Sequence, residues 1–299
     1  MFDLIIVGGG PAGLTAALYG LRAGKSVLVI EKDGFGGQMN FSPKIENYPG
    51  FASVSGSELA DKMVEQILAQ GAEVAVEKVT GLSQNGDGTK TVTTDAGTYT
   101  ARAVILATGA RHRLLGVPGE RELIGDGISF CAVCDGAFYA GRSVAVIGGG
   151  NSALQEALLL AETSSHVTVL QNLDGFTGEG KLVELLMSKP NVTAVFGAAI
   201  RGFAKVGDRI EVQIEDKAGA RTVTVDGVIV AIGLAPDNEA FADLVTLENG
   251  YVAAEENCKT SADGVFTAGD CRTKSVRQIA TAIADGATAA LAACDYIDR

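Results

Sequence analysis

The sequence predicts an α/β protein built from two similar domains, the second inserted into the first. Two observations predict this class. A short apolar strand, a glycine-rich turn and an amphipathic helix occur in that order twice, near residues 4–21 and 143–161. Polar stretches with alternating hydrophobicity follow each copy, and one more strand and helix come only at the end of the chain. The 39 glycines cluster beside the apolar strands, as tight turns around a ligand require.

The first copy begins with a predicted strand at 4–7, continues with a helix over 14–21 and ends with a strand at 26–30. Gly8-x-Gly10-x-x-Gly13 joins the first strand to the helix. In this context Gly8 allows a tight turn, Gly10 lets a pyrophosphate approach the backbone, and Gly13 permits close packing of helix on strand. Glu31 ends the next strand, where a carboxylate can accept a hydrogen bond from a ribose hydroxyl. The pattern predicts a dinucleotide site with a Rossmann-like, three-layer ββα fold.

The second copy has predicted strands at 143–147 and 167–170 around a helix through 154–161. Its fingerprint is Gly148-x-Gly150-x-x-Ala153, and Gln171 takes the position that Glu31 has in the first copy. Residues 171–180 contain no Lys or Arg but do contain Asp174 and Glu179, whereas a 2′-phosphate favours arginine. NADPH is therefore disfavoured, while NADH or another adenine dinucleotide is compatible with Gln171. In the alternative, the glycines serve packing and this domain binds nothing.

Each copy is followed by strands that return to it. After the first, stretches 92–94 and 98–100 lead into a predicted strand at 103–107; after the second, 209–215 and 222–225 lead into one at 228–232. The tail holds a strand at 265–268 and an Ala-rich helix from near Ser275, and we expect it to complete the first domain. The predicted domains are 1–113 with 236–299, which carries the first fingerprint, and 114–235, of NAD(H)-binding type. Predicted hinges lie at 113–116 and 234–238.

Cys131 and Cys134 form a C-x-x-C pair directly before the second nucleotide unit. Two thiols at this spacing can close a disulfide, and a thiolate can attack another disulfide. Asp135 adjoins the pair and can hold or deliver a proton. A zinc site would need a second ligand pair, and the sequence has no second C-x-x-C. The pair therefore predicts redox chemistry.

The composition excludes other functions. Lys and Arg total 24 against 36 Asp and Glu, a net charge of −12, which argues against nucleic-acid binding. The two histidines, His112 and His166, leave little material for a metal site, and both are interpreted as ordinary strand-end residues. Cys258, Cys271 and Cys294 are interpreted as small apolar fillers. Without a signal-peptide pattern or an apolar run near ~18 residues, a cytoplasmic protein is expected.

Taken together, the motifs resemble the low-molecular-weight thioredoxin reductase family over essentially the whole chain. The resemblance rests on VGGGPAG (7–13), GGQ (36–38), ENYPG (46–50), ATG (107–109), CAVCDG (131–136), GGGNSA (148–153), VFTAGD (265–270) and RQ (277–278). It implies a homodimer with FAD on the first domain. The FAD positions it implies are Gly8, Gly10, Pro11, Ala12, Gly13, Glu31, Lys32, Gly37, Gln38, Asn47, Ala107, Thr108, Gly109, Gly269, Asp270, Arg277, Gln278 and Ile279. The second nucleotide site would comprise Gly148, Gly150, Asn151, Ser152, Ala153 and Gln171.

The resemblance also implies roles and a partner. Cys134 would take electrons from the flavin, Cys131 would attack the disulfide of thioredoxin or a thioredoxin-like protein, and Asp135 would donate a proton. The family rotates its second domain, as the predicted hinges would allow. NADPH-dependent members carry H-R-R-x-x-x-R where this chain has Gln171 followed by NLDGFT, so all three arginines are missing. NADH is favoured as donor, ahead of a ferredoxin, a deazaflavin or a second flavin, with NADPH last.

Two other functions stay open. One is the reductase of a peroxidase system, which normally carries an extra N-terminal thioredoxin-like extension; here residue 2 already leads into the first strand. The other is a flavin-bound redox sensor that turns nothing over. The Ala-rich stretch 280–293 is compatible with an interface helix or with packing against the FAD domain.

Overall fold

The computed structural model describes residues 1–42 and 44–299. The chain divides into two compact units, residues 1–111 with 235–299 (unit 1) and residues 112–234 (unit 2). These boundaries lie within two residues of those that the sequence suggests. Unit 1 is thus built from both ends of the chain, and unit 2 is one continuous segment.

The helices and strands follow one another in three runs. The first run comprises β1 (Phe2–Val7), α1 (Pro11–Arg22), β2 (Val27–Glu31), α2 (Gly56–Ala69), β3 (Glu73–Val76), β4 (Val79–Gln84), β5 (Lys90–Thr94), β6 (Thr98–Leu106) and β7 (Ala110–His112). The second comprises α3 (Glu120–Leu123), β8 (Ile128–Ser129), α4 (Ala132–Asp135), β9 (Ser143–Ile147), α5 (Asn151–Ala161), β10 (His166–Gln171), α6 (Gly180–Met187), β11 (Val192–Phe196), β12 (Ala199–Val206), β13 (Arg209–Asp216), β14 (Gly219–Val225), β15 (Gly227–Val230) and β16 (Leu234–Pro236). The third comprises β17 (Leu247–Glu248), β18 (Tyr251–Val252), β19 (Val265–Thr267) and α7 (Ile279–Ile297).

The main sheet of unit 1 has the strand order β3-β2-β1-β6-β5-β4, and β19 pairs with β6. β1 pairs in parallel with β2 and β6, and β19 also lies parallel to β6. The tail of the chain therefore completes the first domain, as expected. One expectation was wrong: residues 98–107 do not form two short stretches, because β6 is a single strand from Thr98 to Leu106. Buried Ala101 and Ala103 keep it extended while it pairs with β5 on one side and β1 on the other.

Helix α7 packs against α1 through small side chains on one face. Ala282, Ala289, Ala290 and Ala293 are buried there. Packing within unit 1 thus accounts for the Ala-rich stretch. The helix begins at Ile279 and not near Ser275, because Gln278 and Thr281 form a reciprocal capping box that fixes the first turn.

Unit 2 contains a parallel sheet of order β11-β10-β9-β15-β8 and an antiparallel sheet β12-β13-β14. β12 was not predicted, and it supplies the edge partner of β13. β15 ends at Val230, two residues before the predicted end at Ile232. Within the described ranges, no helix has the length and apolar character needed to cross a membrane. Both units thus place a glycine-rich turn at the carboxyl ends of parallel strands, where ligands bind in such sheets.

Candidate active site: a disulfide and two glycine-rich loops

The C-x-x-C pair forms a disulfide across the single turn of helix α4. The Cα atoms of Cys131 and Cys134 are 5.3 Å apart. Cys131 is the N-cap of the helix, and its Sγ accepts a hydrogen bond from the N–H of Cys134 at 3.1 Å. Between them, Val133 is 56% exposed. The disulfide therefore sits where the free N–H groups of a helix start can stabilise a thiolate.

Asp135 lies at the end of the same turn, and its carboxyl group is largely buried. Its Oδ2 accepts a hydrogen bond from the hydroxyl of Ser129, while its buried Oδ1 has no hydrogen-bond partner among residues 1–42 and 44–299. Burial raises the pKa of Asp135, although the Ser129 hydrogen bond opposes that shift. A carboxyl group held this way retains a proton to higher pH, which suits it to donate one near the disulfide.

A second acidic residue, Glu156 on α5, reaches the same turn and was missed from the sequence. Its Oε2 accepts a hydrogen bond from the N–H of Ala132. Burial raises the pKa of Glu156, and the charge of Asp135 raises it further, against the effect of the Ala132 hydrogen bond. Burial likewise raises the pKa of neighbouring Tyr139 to about 12, with Asp135 adding to the shift. Nothing in the spacing of Glu156, 22 residues after Cys134, marks it as part of this site.

The first glycine-rich loop leaves a helix N-terminus open. Gly10 is the N-cap of α1, Pro11 follows it, and the first turn carries no acidic side chain. A Cβ at Gly10 would meet no heavy atom within 4 Å, whereas one at Gly13 would lie 1.9 Å from the backbone oxygen of Gly8. Gly8 itself has a φ of +113°. The backbone thus provides open space and free N–H groups where a pyrophosphate binds.

A cleft of about 240 Å³ adjoins this loop in unit 1. Four predicted residues line it: Gly8, Glu31, Lys32 and Thr108. Nine further lining residues were not predicted. Two of them, Val7 and Ile30, adjoin predicted positions, and the other seven come from distant segments: Glu77, Lys78, Val79, Thr80, Asp237, Ala240 and Phe241. Oε2 of Glu31 accepts the N–H of Gly9 at 2.7 Å, and Lys32 forms an ion pair with Asp237.

Four other predicted FAD residues of unit 1 have contacts of their own. A Cβ at Gly37 would lie 3.4 Å from the Cα of Gly10, and Asn47 donates to Oε1 of Gln278 at 3.2 Å. Arg277 lies over the ring of Tyr251, 4.3 Å from its centroid.

Asp270 occupies the 3₁₀ turn Gly269–Cys271, and its Oδ1 is buried without a hydrogen-bond partner in the part of the chain that the structure describes. Burial raises the pKa of this carboxyl group. An unpaired buried acceptor and an open helix N-terminus fit a ligand with hydroxyl groups and a pyrophosphate, as in FAD.

A buried cluster of charged side chains, Asp285, Arg272 and Lys274, holds the Asp270 turn against helix α7. Asp285 of α7 accepts hydrogen bonds from the N–H of Gly269, from the Arg272 guanidinium at 2.9 Å and from Lys274 at 2.8 Å. Arg272 and Lys274 together hold the pKa of Asp285 below its usual range, although burial opposes them. The cluster anchors the loop that carries Asp270 onto the last helix.

The second glycine-rich loop has a similar helix start, with Gly150 as the N-cap of α5. Here, however, residues 177–179 of the loop after β10 are hydrogen-bonded to the glycine-rich loop and to the first residue of α5. The N–H groups of Thr177 and Gly178 both donate to the oxygen of Gly149, at 2.8 and 3.1 Å. Asn151 and Glu179 exchange two hydrogen bonds, at 2.7 and 2.9 Å. The loop is therefore held closely against the start of α5.

Gln171 is buried in this arrangement, with 5% of its surface exposed. Its Nε2 donates to the oxygen of Gly175 at 3.2 Å, and its Oε1 accepts the N–H of Asn172 at 3.1 Å. Both ends of the amide are therefore engaged by the loop that follows it. To bind a ribose, Gln171 would have to exchange one of these hydrogen bonds.

The three positions where arginines are missing, residues 172, 173 and 177, are exposed, and Leu173 is 50% exposed. The structure adds a cation that the local sequence did not show. Lys217, from the turn between β13 and β14, lies 2.7 Å from Asp174, and both side chains are about four-fifths exposed. Because Asp174 pairs with it, Lys217 adds no net positive charge to this edge.

Of the residues to which the sequence analysis gave no catalytic role, Cys271 lies in the same 3₁₀ turn as Asp270. Cys258, Cys271 and Cys294 are all buried and reduced. Burial raises the pKa of Cys258 to about 11. His112 stacks on Phe130 with ring centroids 4.8 Å apart, and burial lowers its pKa to about 4.

Comparison with known proteins decides the family. The model of the pyridine nucleotide-disulphide oxidoreductases matches residues 2–286. The thioredoxin reductase of Treponema pallidum (strain Nichols) is 42% identical, over 99% of this chain and 97% of the relative. The chain belongs to the low-molecular-weight thioredoxin reductase family. The thioredoxin reductase of Listeria monocytogenes is 40% identical, over 100% of this chain and 95% of the relative.

Solved structures of the family agree with the fold. Thioredoxin reductase from Streptococcus pyogenes MGAS5005 superposes with a TM-score of 0.95 at 38% identity, over 100% of this chain and 98% of that one. The atypical thioredoxin reductase TRi from Desulfovibrio vulgaris Hildenborough gives a TM-score of 0.55 at 32% identity, over 100% and 98% of the two chains. The protein is a thioredoxin reductase-like, FAD-binding disulfide oxidoreductase with two Rossmann-like domains.

Proposed function

We propose that this protein passes electrons from NADH, through FAD and the Cys131–Cys134 disulfide, to the disulfide of thioredoxin or a thioredoxin-like protein. The observation that carries the reductase function is the disulfide at the start of α4, beside a buried Asp135 carboxyl with an unpaired oxygen. Family membership supports the same activity.

FAD, when bound, supplies a carrier for two electrons. The Cys131–Cys134 bond breaks as the pair takes up two electrons and two protons. The Cys131 thiol then loses its proton, and its thiolate attacks the substrate disulfide, forming a mixed disulfide and releasing one substrate thiolate. Cys134 then loses its proton, and its thiolate attacks Sγ of Cys131, which restores the disulfide and releases the second substrate thiolate. Asp135 delivers the proton that a departing sulfur requires.

We assign FAD to unit 1 and the nicotinamide donor to unit 2. Supporting observations are the residues of this set that line one cleft, the approach of Gly37 to Gly10, the Asn47–Gln278 hydrogen bond and the Asp270 turn. The FAD residues are Gly8, Gly10, Pro11, Ala12, Gly13, Glu31, Lys32, Gly37, Gln38, Asn47, Ala107, Thr108, Gly109, Gly269, Asp270, Arg277, Gln278 and Ile279. The donor residues are Gly148, Gly150, Asn151, Ser152, Ala153 and Gln171.

The preference for NADH over NADPH rests on the edge of unit 2. Residues 172, 173 and 177 offer no cation to a 2′-phosphate, and Lys217 is paired with Asp174. A phosphate there would meet Asp174 and Glu179 without a compensating arginine. An unphosphorylated ribose avoids that cost.

One observation favours a second candidate donor. Both ends of the Gln171 amide are engaged by its own loop, and the loop is fastened over Gly149. If this closed arrangement persists, the flavin would take electrons from a ferredoxin, a deazaflavin or a second flavin, and the glycines would serve packing. We also propose a cytoplasmic homodimer, on the family resemblance; light scattering in solution tests the dimer.

Anaerobic addition of NADH and NADPH, separately, to the flavin-loaded protein tests the proposal. Rapid bleaching of the flavin by NADH alone, followed by repeated turnover with thioredoxin, is expected. Bleaching by neither nucleotide would overturn the NADH assignment and leave the non-pyridine donors. Photochemically reduced flavin that never turns thioredoxin over would overturn the reductase function and indicate a redox sensor.

A further inference from the structure

Helix α5 carries, on its side toward α4, a carboxylate that the catalytic roles above do not use. Glu156 extends from α5 and accepts the N–H of Ala132, the first residue after Cys131. Glu156 is only half-exposed, and Ala132 is buried at 2% exposure. The contact is therefore built into the packing of the two helices and is not a surface pairing.

We propose that the charge of Glu156 sets the reactivity of Cys131 by opposing formation of its thiolate. The inference rests on the proposed disulfide-reductase function and concerns the same site. Glu156 is a positioning residue in this scheme, since it acts on Cys131 through the first turn of α4 and touches no substrate.

The argument begins with the helix start. A thiolate at an N-cap is stabilised by the free N–H groups of the first turn, and Cys131 already uses that of Cys134. The N–H of Ala132 is a second such donor, but Glu156 occupies it. Cys131 therefore shares the N–H groups of this single turn with a carboxylate bonded to the next residue, and like charges in a partly dehydrated site repel.

The step that Glu156 opposes is a deprotonation. After the Sγ–Sγ bond has taken up two electrons and two protons, the Cys131 thiol must release one proton to solvent before it attacks. A negative charge beside the sulfur raises the pKa of that thiol and disfavours the thiolate. The reduced state of the pair includes some thiolate. A charge that disfavours the thiolate therefore also disfavours the reduced pair and favours the disulfide.

Among the described residues, the groups that shift the pKa of Glu156 include no cation. Asp135, when ionised, raises the pKa of Glu156 further, and Tyr139 stays neutral because burial raises its pKa to about 12. Lys181 and Glu184 lie on α6, where both side chains are exposed. The residues of β9 are all uncharged. The titratable and charged groups on the elements packed against α5, or directly flanking them, are Cys131, Cys134, Asp135, Tyr139, Arg142, His166, Lys181 and Glu184.

The test uses the flavin-loaded full chain, reduced anaerobically with dithiothreitol. The rate of Cys131 alkylation by iodoacetamide is followed across the neutral pH range by mass spectrometry. Glu156→Gln keeps an oxygen that can accept the Ala132 N–H and removes only the charge. Glu162→Gln is the matched control, because Glu162 follows α5 directly, is 61% exposed and pairs with Lys189 at the surface.

We expect Glu156→Gln to lower the apparent pKa of Cys131 by about one unit, a tenfold rise in thiolate below that pKa. Equilibration with mixtures of reduced and oxidised dithiothreitol should show the disulfide up to about tenfold easier to reduce, or about 30 mV. Glu162→Gln should change neither quantity.

An unchanged alkylation profile in a Glu156→Gln protein that retains FAD would overturn the inference. So would an equal shift in Glu162→Gln. A profile altered by Glu156→Ala but not by Glu156→Gln would show that the residue acts only as a hydrogen-bond acceptor. These readouts require no donor and no thioredoxin, so a protein that shows the expected shift but never reduces thioredoxin would refute the proposed function and leave this inference standing.

Discussion

Restoring arginines at the edge of unit 2 is the sharpest test of how this chain selects its donor. The variant Asn172→Arg, Leu173→Arg, Thr177→Arg replaces three exposed side chains, so none of the new guanidinium groups has to be buried. If the second glycine-rich loop binds a pyridine nucleotide, these side chains will surround the 2′-position of its ribose.

The expected magnitude follows from the exposure of these positions. A hydrogen bond to a charged group contributes about 1.5 to 3 kcal/mol, and the lower end applies here because Leu173 is 50% exposed. Two guanidinium groups on one phosphate then give about 3 kcal/mol, which corresponds to roughly a hundredfold change in the NADPH to NADH ratio of kcat/KM. Asp174 reduces this gain slightly unless it remains paired with Lys217.

The assay is stopped-flow reduction of the flavin under anaerobic conditions, with each nucleotide titrated separately. A charge-matched control places arginines at exposed Thr163, Thr193 and Thr224, all in unit 2 and away from residues 171–180. The reasoning fails if the triple variant accepts neither nucleotide, or if the control gains as much NADPH activity. The first result would mean that the fastened loop keeps pyridine nucleotides out.

Three further predictions follow. Cys131→Ser should abolish thioredoxin reduction while the flavin is still reduced by the donor; loss of flavin binding instead would defeat its assigned role. Gly13→Ala should abolish FAD binding, because its Cβ would lie 1.9 Å from the oxygen of Gly8, whereas Gly10→Ala, which has open space, should fold with a near-native Tm and bind FAD more weakly; flavin absorbance and thermal melts distinguish them. His112 has a folded pKa of about 4, below its unfolded 6.5, so stability present above pH 6.5 should fall by up to about 3 kcal/mol as the pH drops to 4. Urea unfolding at several pH values should show this slope reduced in His112→Gln, and an identical slope would contradict it.

The sequence predicted the parts of the fold that depend on local patterns. Both glycine-rich turns, the strands before them and the return of the tail to the first sheet follow from period and spacing, and the structure confirms them. The start of α7 was misplaced, because the Gln278 capping box is not a standard Ser or Thr cap. β12 was missed because its residues, AIRGFAKV, mix a glycine and two cations into an otherwise apolar run, and only pairing with β13 makes them a strand.

The residues of the candidate site also fall into those that a local sequence pattern predicts and those that it does not. Cys131, Cys134 and Asp135 are adjacent in sequence, so their chemistry can be deduced from spacing. Glu156 bonds to the α4 turn and Asp285 to the Asp270 turn from helices elsewhere in the chain, and no local pattern marks a side chain that meets its partner only after folding. Lys217 likewise reaches Asp174 through a hairpin, so a count of charges within residues 171–180 overlooks it.

The order in which the chain is synthesised adds a consequence of the discontinuous unit 1. The strands of unit 2 all lie between residues 128 and 230, so this unit can fold while the last part of the chain is still being made. Unit 1 has to wait, since β19 pairs with β6 across more than half the chain and Asp270 and Arg277 come later still. A nascent chain that has just completed unit 2 therefore already contains Cys131 and Cys134. It does not yet contain the last of the proposed FAD residues. With FAD bound to unit 1 as proposed, we expect flavin capture to be a late event in biogenesis, and we expect a protein truncated near residue 260 to carry the first fingerprint without Asp270 and Arg277.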